Sequence, residues 1–233
     1  MWILNPAATT EPQLKMMEFL GALMGMSFRS GILLDINISR FVWKQIVGTP
    51  VTIDDLNLCD EMFVKNLFEI LEKGPSMTDE EFAKEYGETH TMSILLSNGK
   101  SVDLVENGSN IPVTRANITE YFDKAVKVRL EECKPQVEAL INGIAKTFDK
   151  SFLRMVSWKY FEHRVVGLTE VSVERLKEIT SYRNCSDSHE VIKRFWQVLE
   201  SFSNEDKIAY LRFVWGRTRL PLKEEEVVEN HTI

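Results

Sequence analysis

The sequence predicts an α+β fold that is mainly α-helical, with one small antiparallel β insertion. Two observations carry this expectation. Apolar residues recur three and four positions apart through most of the 233 residues, the period of a helix with one buried face. Between His90 and Thr114 that period is lost, and β-forming stretches split by Asn98-Gly99 and Asn107-Gly108 replace it. Both dipeptides are strong turn formers. A hydrophobic content of 44% against 27% charged residues is that of a globular chain, and the length is ample for a real core.

The first helix is expected over EPQLKMMEFLGALMGMSF, with Thr10 as its cap and Pro12 in the first turn, where a missing N–H costs nothing. Leu14, Met17, Leu20, Leu23, Met24 and Phe28 form its stripe. Gly21 and Gly25 lie one turn apart, a spacing that lets another element approach closely. A second helix, ISRFVWKQIVG, stops at Gly48, and TIDDLNLCD reads as a short helix and turn. MFVKNLFEILEKG takes Asp60 as cap and Gly74 as stop, and puts Phe63, Leu67, Ile70 and Leu71 on one face. Thr78 and Glu81 have capping-box spacing.

After two or three short strands, Thr114 is expected to cap a helix carrying Ile118, Phe122, Ala125 and Val126, and Pro135 to start the next. SFLRMVSWKYFEHRVVG and VSVERLKEIT continue the helical pattern. HEVIKRFWQVLESF and NEDKIAYLRFVW form a closing pair with Ser203 and Asp206 as the cap between them, and Gly216 ends the last helix. LKEEEVVENHTI is polar and acidic and reads as a flexible tail.

Charge and motif content exclude more than they assign. A net charge of -7 argues against a nucleic-acid surface, which is held chiefly by Lys and Arg. There is no 18-residue apolar run, MWILNP lacks the basic start of a secretory signal, and three scattered cysteines suit a reducing compartment. A cytoplasmic protein with no membrane span is expected. The histidines and cysteines lack metal-ligand spacing, and neither GxxxxGK[ST] nor GxGxxG occurs, so neither metal nor cofactor is expected.

Cys133 follows Glu131 and Glu132, and Cys59 also has acidic neighbours, settings that disfavour a thiolate. Cys185, near Arg183 and His189, is the least unfavourable nucleophile. Two features rise above this floor. Arg217 and Arg219 follow a helix end, where cations suit the helix dipole and can brace a chain exit. The face bearing Phe63, Leu67 and Leu71 either packs as core or lines a docking groove.

Three strings, in chain order, carry a family resemblance. FLGALMGMSFRSGILLDINISRFVWKQIVG, VDLVENGSNIPVTRANITEYFDKAVKVRL and HEVIKRFWQVLESFSNEDKIAYLRFVWGRTRLP resemble successive segments of the larger, N-terminal lobe of HECT-type ubiquitin ligases. VWKQIVG and FVWGRTRLP are most similar to the large HERC-type ligases. The resemblance covers approximately residues 5–221. It implies a partial larger lobe over 1–221, a docking subdomain at 50–121 within it, and a tail over 222–233.

In such ligases the larger lobe binds the ubiquitin-loaded conjugating enzyme (E2). A smaller lobe carries the cysteine that takes ubiquitin as a thioester before it passes to substrate lysines. The HTCFN-like segment holding that cysteine has no counterpart here, and after RTRLP the chain departs from the family's continuation. The resemblance therefore implies a module that docks E2, is inactive alone, and meets substrates through regions outside this chain. It also implies docking by Leu67, Leu71 and Tyr121, with Phe63 peripheral, and a hinge that starts at Arg217, Arg219 and Pro221. The alternative is a catalytically inactive, HECT-like interaction or regulatory protein that no longer binds E2.

Overall fold

The structure, a computed structural model, describes residues 1–87, 89–220 and 231–233. In chain order the helices and strands are α1 (Glu11–Ser30), α2 (Arg40–Val47), α3 (Ile53–Asn57), α4 (Glu61–Lys73), α5 (Asp79–Phe82), β1 (Ser93–Leu95), β2 (Ser101–Asp103), α6 (Ile118–Glu131), α7 (Lys134–Ile144), α8 (Trp158–Val166), α9 (Val173–Glu178), β3 (Thr180–Ser181), α10 (Glu190–Ser201), α11 (Asn204–Trp215) and β4 (His231–Thr232). The α+β, mainly helical expectation is met. Two compact units divide the chain, one of Met1–Phe19 with Ile38–Ile141, the other of Leu20–Asn37 with Asn142–Ile233.

In the first unit, α4, α5, the β hairpin and α6 share one core built on Leu67, Ile70, Phe82, Ile94, Ile118 and Tyr121. β1 and β2 pair antiparallel with Ile94 opposite Val102, and Asn98-Gly99 supplies the turn between them, as the dipeptide predicts. Asn107 adopts the left-handed conformation at φ 59°, and a side chain on Gly108 would fall 2.1 Å from the Met92 carbonyl oxygen. The capping box at Thr78 forms, with Glu81 accepting the Thr78 N–H at 2.8 Å. Gly74 follows α4 for a different reason from the one expected. Its φ of -52° is ordinary, but an added Cβ would lie 2.7 Å from the Ile118 Cδ1 atom. The position is small because α6 passes against it.

Thr114 does not cap α6. The chain turns once more, and Asn117 stands at the helix start, its carboxamide oxygen accepting the Thr114 N–H at 2.7 Å. A second buried organiser is Asp55, whose carboxylate is fully buried on α3. It accepts Lys44 Nζ at 2.8 Å, Arg40 Nε at 3.0 Å and the Thr52 N–H at 3.0 Å, tying α2 to α3.

In the second unit, Gly25 permits the close approach its spacing foreshadowed, since a Cβ there would meet Thr147 Oγ1 at 2.1 Å. Phe28 sits among Phe148, Phe152 and Phe161, with centroids 5.2–5.8 Å away. SFLRMVSWKYFEHRVVG is not one helix. A 3₁₀ segment, Lys150–Met155, precedes Ser157, which caps α8 by accepting the Tyr160 N–H at 3.2 Å. Val173, Leu176, Ile192, Trp196 and Leu211 form the core beneath α9, α10 and α11, and Ser203 caps α11 through the Asp206 N–H at 3.1 Å. Residues 222–230 of the expected flexible tail lie outside the described residues. His231–Ile233 depart from that expectation: β4 pairs in parallel with β3, and His231 is buried.

Candidate docking surface

The candidate surface is built on α4, and its geometry begins at the helix start. Asp60 caps α4 by accepting the Phe63 N–H at 3.1 Å, and the same carboxylate receives Arg129 Nη2 at 2.8 Å. Arg129 belongs to α6 and is only 3% exposed, yet a second carboxylate, Glu132, lies 3.2 Å from its Nε. Glu132 in turn accepts the Ser97 N–H from the hairpin loop at 3.1 Å. A guanidinium removed from water is tolerable only when its charge is met, and here two carboxylates meet it. One buried cation thus fixes the register of α4, α6 and the hairpin loop.

This arrangement decides where the expected docking residues lie. Leu67 is 3% exposed and Tyr121 is 6% exposed, both inside the shared core. The expectation that they present an exposed apolar grip is corrected: both side chains are part of the core that α4, α5, the hairpin and α6 share. Burial also pushes the Tyr121 phenol above its ordinary pKa. Phe63 is half-buried, with the Arg129 guanidinium 4.3 Å from its ring centroid. Leu71 is partly exposed at the margin of the core.

Two large apolar residues of this helix are exposed, Met62 in its first turn and Phe68 at its middle, and the pattern singled out neither. Phe68 is 37% exposed and its ring stands 5.3 Å from that of Phe122 on α6. On its other flank, a groove of about 750 Å³ runs between α3 and α4, floored by Ile53, Val64 and Phe68 and rimmed by Asp54, Lys65 and Glu72. The sequence signal was available, because Phe68 follows the buried Leu67 by one residue and so turns about 100° away from the stripe. An apolar residue off the stripe is the one a helix leaves outside.

Two of the three thiols lie in settings that hold them protonated. Burial, with Glu132 beside it, pushes the Cys133 thiol up to about 12, and burial also raises Cys59, whose sulfur lies 3.4 Å from Ser39 Oγ. Cys185 is half-buried, with its sulfur 3.7 Å from the Ile233 carbonyl oxygen. After α11, Arg217 stacks over the Trp215 ring at 4.6 Å, Thr218 donates to Asp35 at 2.9 Å, and Leu220 is buried and accepts the Leu168 N–H at 2.8 Å. Arg219 is half-buried, with Glu162 and Asp35 supplying opposing charge. This stretch is tied into its unit through residue 220, and Pro221, expected at the hinge, lies outside the described residues. Among the described residues no helix is long and apolar enough to cross a membrane.

The family model described as HECT-domain (ubiquitin-transferase) matches residues 1–232. The E3 ubiquitin-protein ligase HERC2 of Homo sapiens is 34% identical over 220 residues, 94% of this chain, and the mouse protein is 33% identical over the same length. The E3 ubiquitin-protein ligase TOM1 of Saccharomyces cerevisiae is 30% identical over 214 residues, 90% of this chain. The chain spans about 4% of the HERC2 proteins and 6% of TOM1. With a family model matched along nearly its whole length and relatives that share a third of its residues, the chain belongs to the HECT-domain family of ubiquitin transferases.

Proposed function

We propose that this chain is the E2-binding part of a HECT-type ubiquitin ligase, and that the conjugating enzyme docks on the outer side of α4 through Phe68 and Leu71, with Phe122 completing the apolar patch. The observation that carries the reading is the combination on one helix of an exposed aromatic residue, an apolar-floored groove and a charged rim. A few apolar anchors supply affinity, while rim charges set orientation and encounter rate. Leu67 and Tyr121 act from below, holding the helix that presents the anchors. Transfer of ubiquitin through a cysteine thioester belongs to the whole ligase in this reading. The raised pKa of Cys59 and Cys133 supports assigning that step elsewhere.

The burial of Leu67 and Tyr121 favours a second reading, in which the fold persists as an interaction module without E2 recognition. One titration separates the two. Ubiquitin-loaded E2 enzymes are titrated against the chain and against Phe68→Ala/Leu71→Ala, with folding verified by circular dichroism. Binding by the parent chain that weakens at least tenfold in the double variant supports docking on α4. Binding that survives unchanged places the docking surface elsewhere, and no binding across the E2 panel favours the interaction module.

A further inference from the structure

The second unit contains a small polar device that the ubiquitin chemistry does not use. β4 lies parallel to β3, with Thr180 opposite His231 and Ser181 opposite Thr232. The next residue continues the contact, as the Ile233 N–H donates to Ser181 O at 3.0 Å and the Arg183 N–H donates to Ile233 O at 2.8 Å. His231 is 2% exposed and projects among three rings, those of Trp196, Tyr210 and Trp215, whose centroids lie 5.8–6.4 Å from its own. The segment is thus held by backbone hydrogen bonds along all of 231–233, by Ile233 against the core, and by the His231 ring in its cage.

The hydrogens in this site have only one consistent arrangement. Thr180 Oγ1 donates its single hydrogen to the Leu176 carbonyl at 2.5 Å. Toward His231 Nδ1, 2.9 Å away, the hydroxyl can then only accept, so Nδ1 carries the imidazole hydrogen. In a neutral ring that leaves Nε2 as a lone pair, which accepts from the Tyr210 hydroxyl at 2.8 Å. A second proton on the ring would sit on Nε2, facing the hydrogen of Tyr210. The tyrosine would have to turn that hydrogen away while the cage enclosed a cation.

We propose that the β3 edge and the cage of Trp196, Tyr210 and Trp215 form a docking slot for this chain's own 231–233 segment, held by a neutral His231 imidazole and released when that imidazole takes up a proton. The groups around the slot agree in sign. β3 offers only the hydroxyls of Thr180 and Ser181. α11 offers Tyr210, and the Cys185 thiol lies on Ile233 O. Behind the cage rings stand Lys177, paired with Glu200 and 5.6 Å from the Trp196 centroid, and Arg217, 4.6 Å from that of Trp215, while Arg183 follows β3 and donates its backbone N–H to Ile233 O. Among the described residues no carboxylate hydrogen-bonds His231. Burial accordingly lowers the His231 pKa from the ordinary 6.5. The released segment binds the proton more readily than the docked one, so docking is at full strength above the ordinary value and weakens as pH falls below it. The docked-to-released ratio falls by up to tenfold per pH unit until the docked imidazole itself titrates.

The test is a pH titration of the 233-residue chain from 8 to 5 by NMR. It follows the His231 ring, the Thr232 and Ile233 amides, and the Leu176 and Leu211 methyls as reporters of the core. The expected result is movement of Thr232 and Ile233 from strand-like to random-coil shifts below the ordinary imidazole pKa, with the core methyls unchanged. His231→Phe, which keeps a ring but cannot protonate, should stay docked throughout. If phenylalanine does not seat at pH 8, His231→Gln, with one donor and one acceptor and no proton uptake, should stay docked in its place. The proposal is overturned if Thr232 and Ile233 remain strand-like to pH 5 around a charged ring, which would make the cage a cation site. It is equally overturned if the non-titrating variant that docks releases over the same pH range, or if the core methyls shift before the strand does.

Discussion

The Arg129 guanidinium lies 4.3 Å from the centroid of the Phe63 ring while its nitrogens face Asp60 and Glu132. Stacking and ion pairing thus come from one buried side chain, which is within the range of Arg but not of Lys. Arg129→Ala should cost about 3–5 kcal/mol, the usual loss when one partner of a buried pair is removed. Arg129→Lys should recover less than half of it. Urea unfolding of the three proteins checks this, and a lysine variant as stable as the parent would show that charge alone suffices.

Leu67 and Phe68 are neighbours with opposite roles. Leu67→Ala removes a side chain that is 3% exposed and should cost about 2–5 kcal/mol of stability. Phe68→Ala, at a 37% exposed position, should cost only about 1 kcal/mol, because much of its surface is already in water. Thermal melts give the ranking directly. Equal losses at the two positions would mean that Phe68 is core and the proposed anchor is misplaced.

Tyr121 separates packing from contact. Its ring is buried with the core, so Tyr121→Ala should cost about 3–5 kcal/mol. Tyr121→Phe keeps the ring and should change stability by no more than about 0.5 kcal/mol. If Tyr121→Phe lost E2 binding with its melt unchanged, the hydroxyl would be a direct contact and the supporting role assigned to this residue would fail.

How far the sequence could be read depended on what each signal measures. The caps at Asp60, Thr78 and Ser203 were legible because they need only a local hydrogen bond to a nearby N–H. The hairpin was legible because Asn98-Gly99 encodes its own turn. Thr114 misled because a threonine followed by a helical stripe reads the same whether the helix begins there or one turn later; here a turn closed by the Thr114 N–H on the Asn117 carboxamide comes first. Leu67 and Tyr121 were assigned outward from a resemblance between strings, and strings carry no burial. Periodicity found the face, but only the packing of α6 against α4 determines which side of it water reaches. The tie between β3 and β4 joins residues 51 apart, a separation at which no local pattern operates.

Asp55 sets an acid limit on the first unit. Burial works to raise its pKa, but the Lys44 and Thr52 hydrogen bonds and the charges of Lys44 and Arg40 outweigh this and hold it below the ordinary 3.8. The folded state therefore binds the proton less readily than the unfolded one. The stability it contributes is fully present above the ordinary value and is lost as pH falls through the lower, folded one. Asp55→Asn should cost about 3 kcal/mol at pH 7, since two cations lose their partner. The difference between parent and variant should shrink below pH 4 in parallel acid titrations, and a difference independent of pH would assign the loss to packing.

Cysteine labelling tests the chemistry left to this chain. With its thiol pushed up to about 12, Cys133 holds only about 10⁻⁴ of its population as thiolate at pH 8, whereas an ordinary thiol holds roughly a quarter. Iodoacetamide at pH 8 should therefore leave Cys133 unmodified in the native protein and alkylate all three cysteines after denaturation, as read by peptide mass spectrometry. Prompt native labelling of Cys133 would show that the site opens readily. The same suppression constrains any ubiquitin adduct detected on this chain in an E1–E2 transfer assay. A nucleophile must be a thiolate at the moment of attack, so such an adduct should map away from Cys133 and vanish in Cys185→Ala. Its survival in that variant would locate transfer on a thiol that the fold holds protonated.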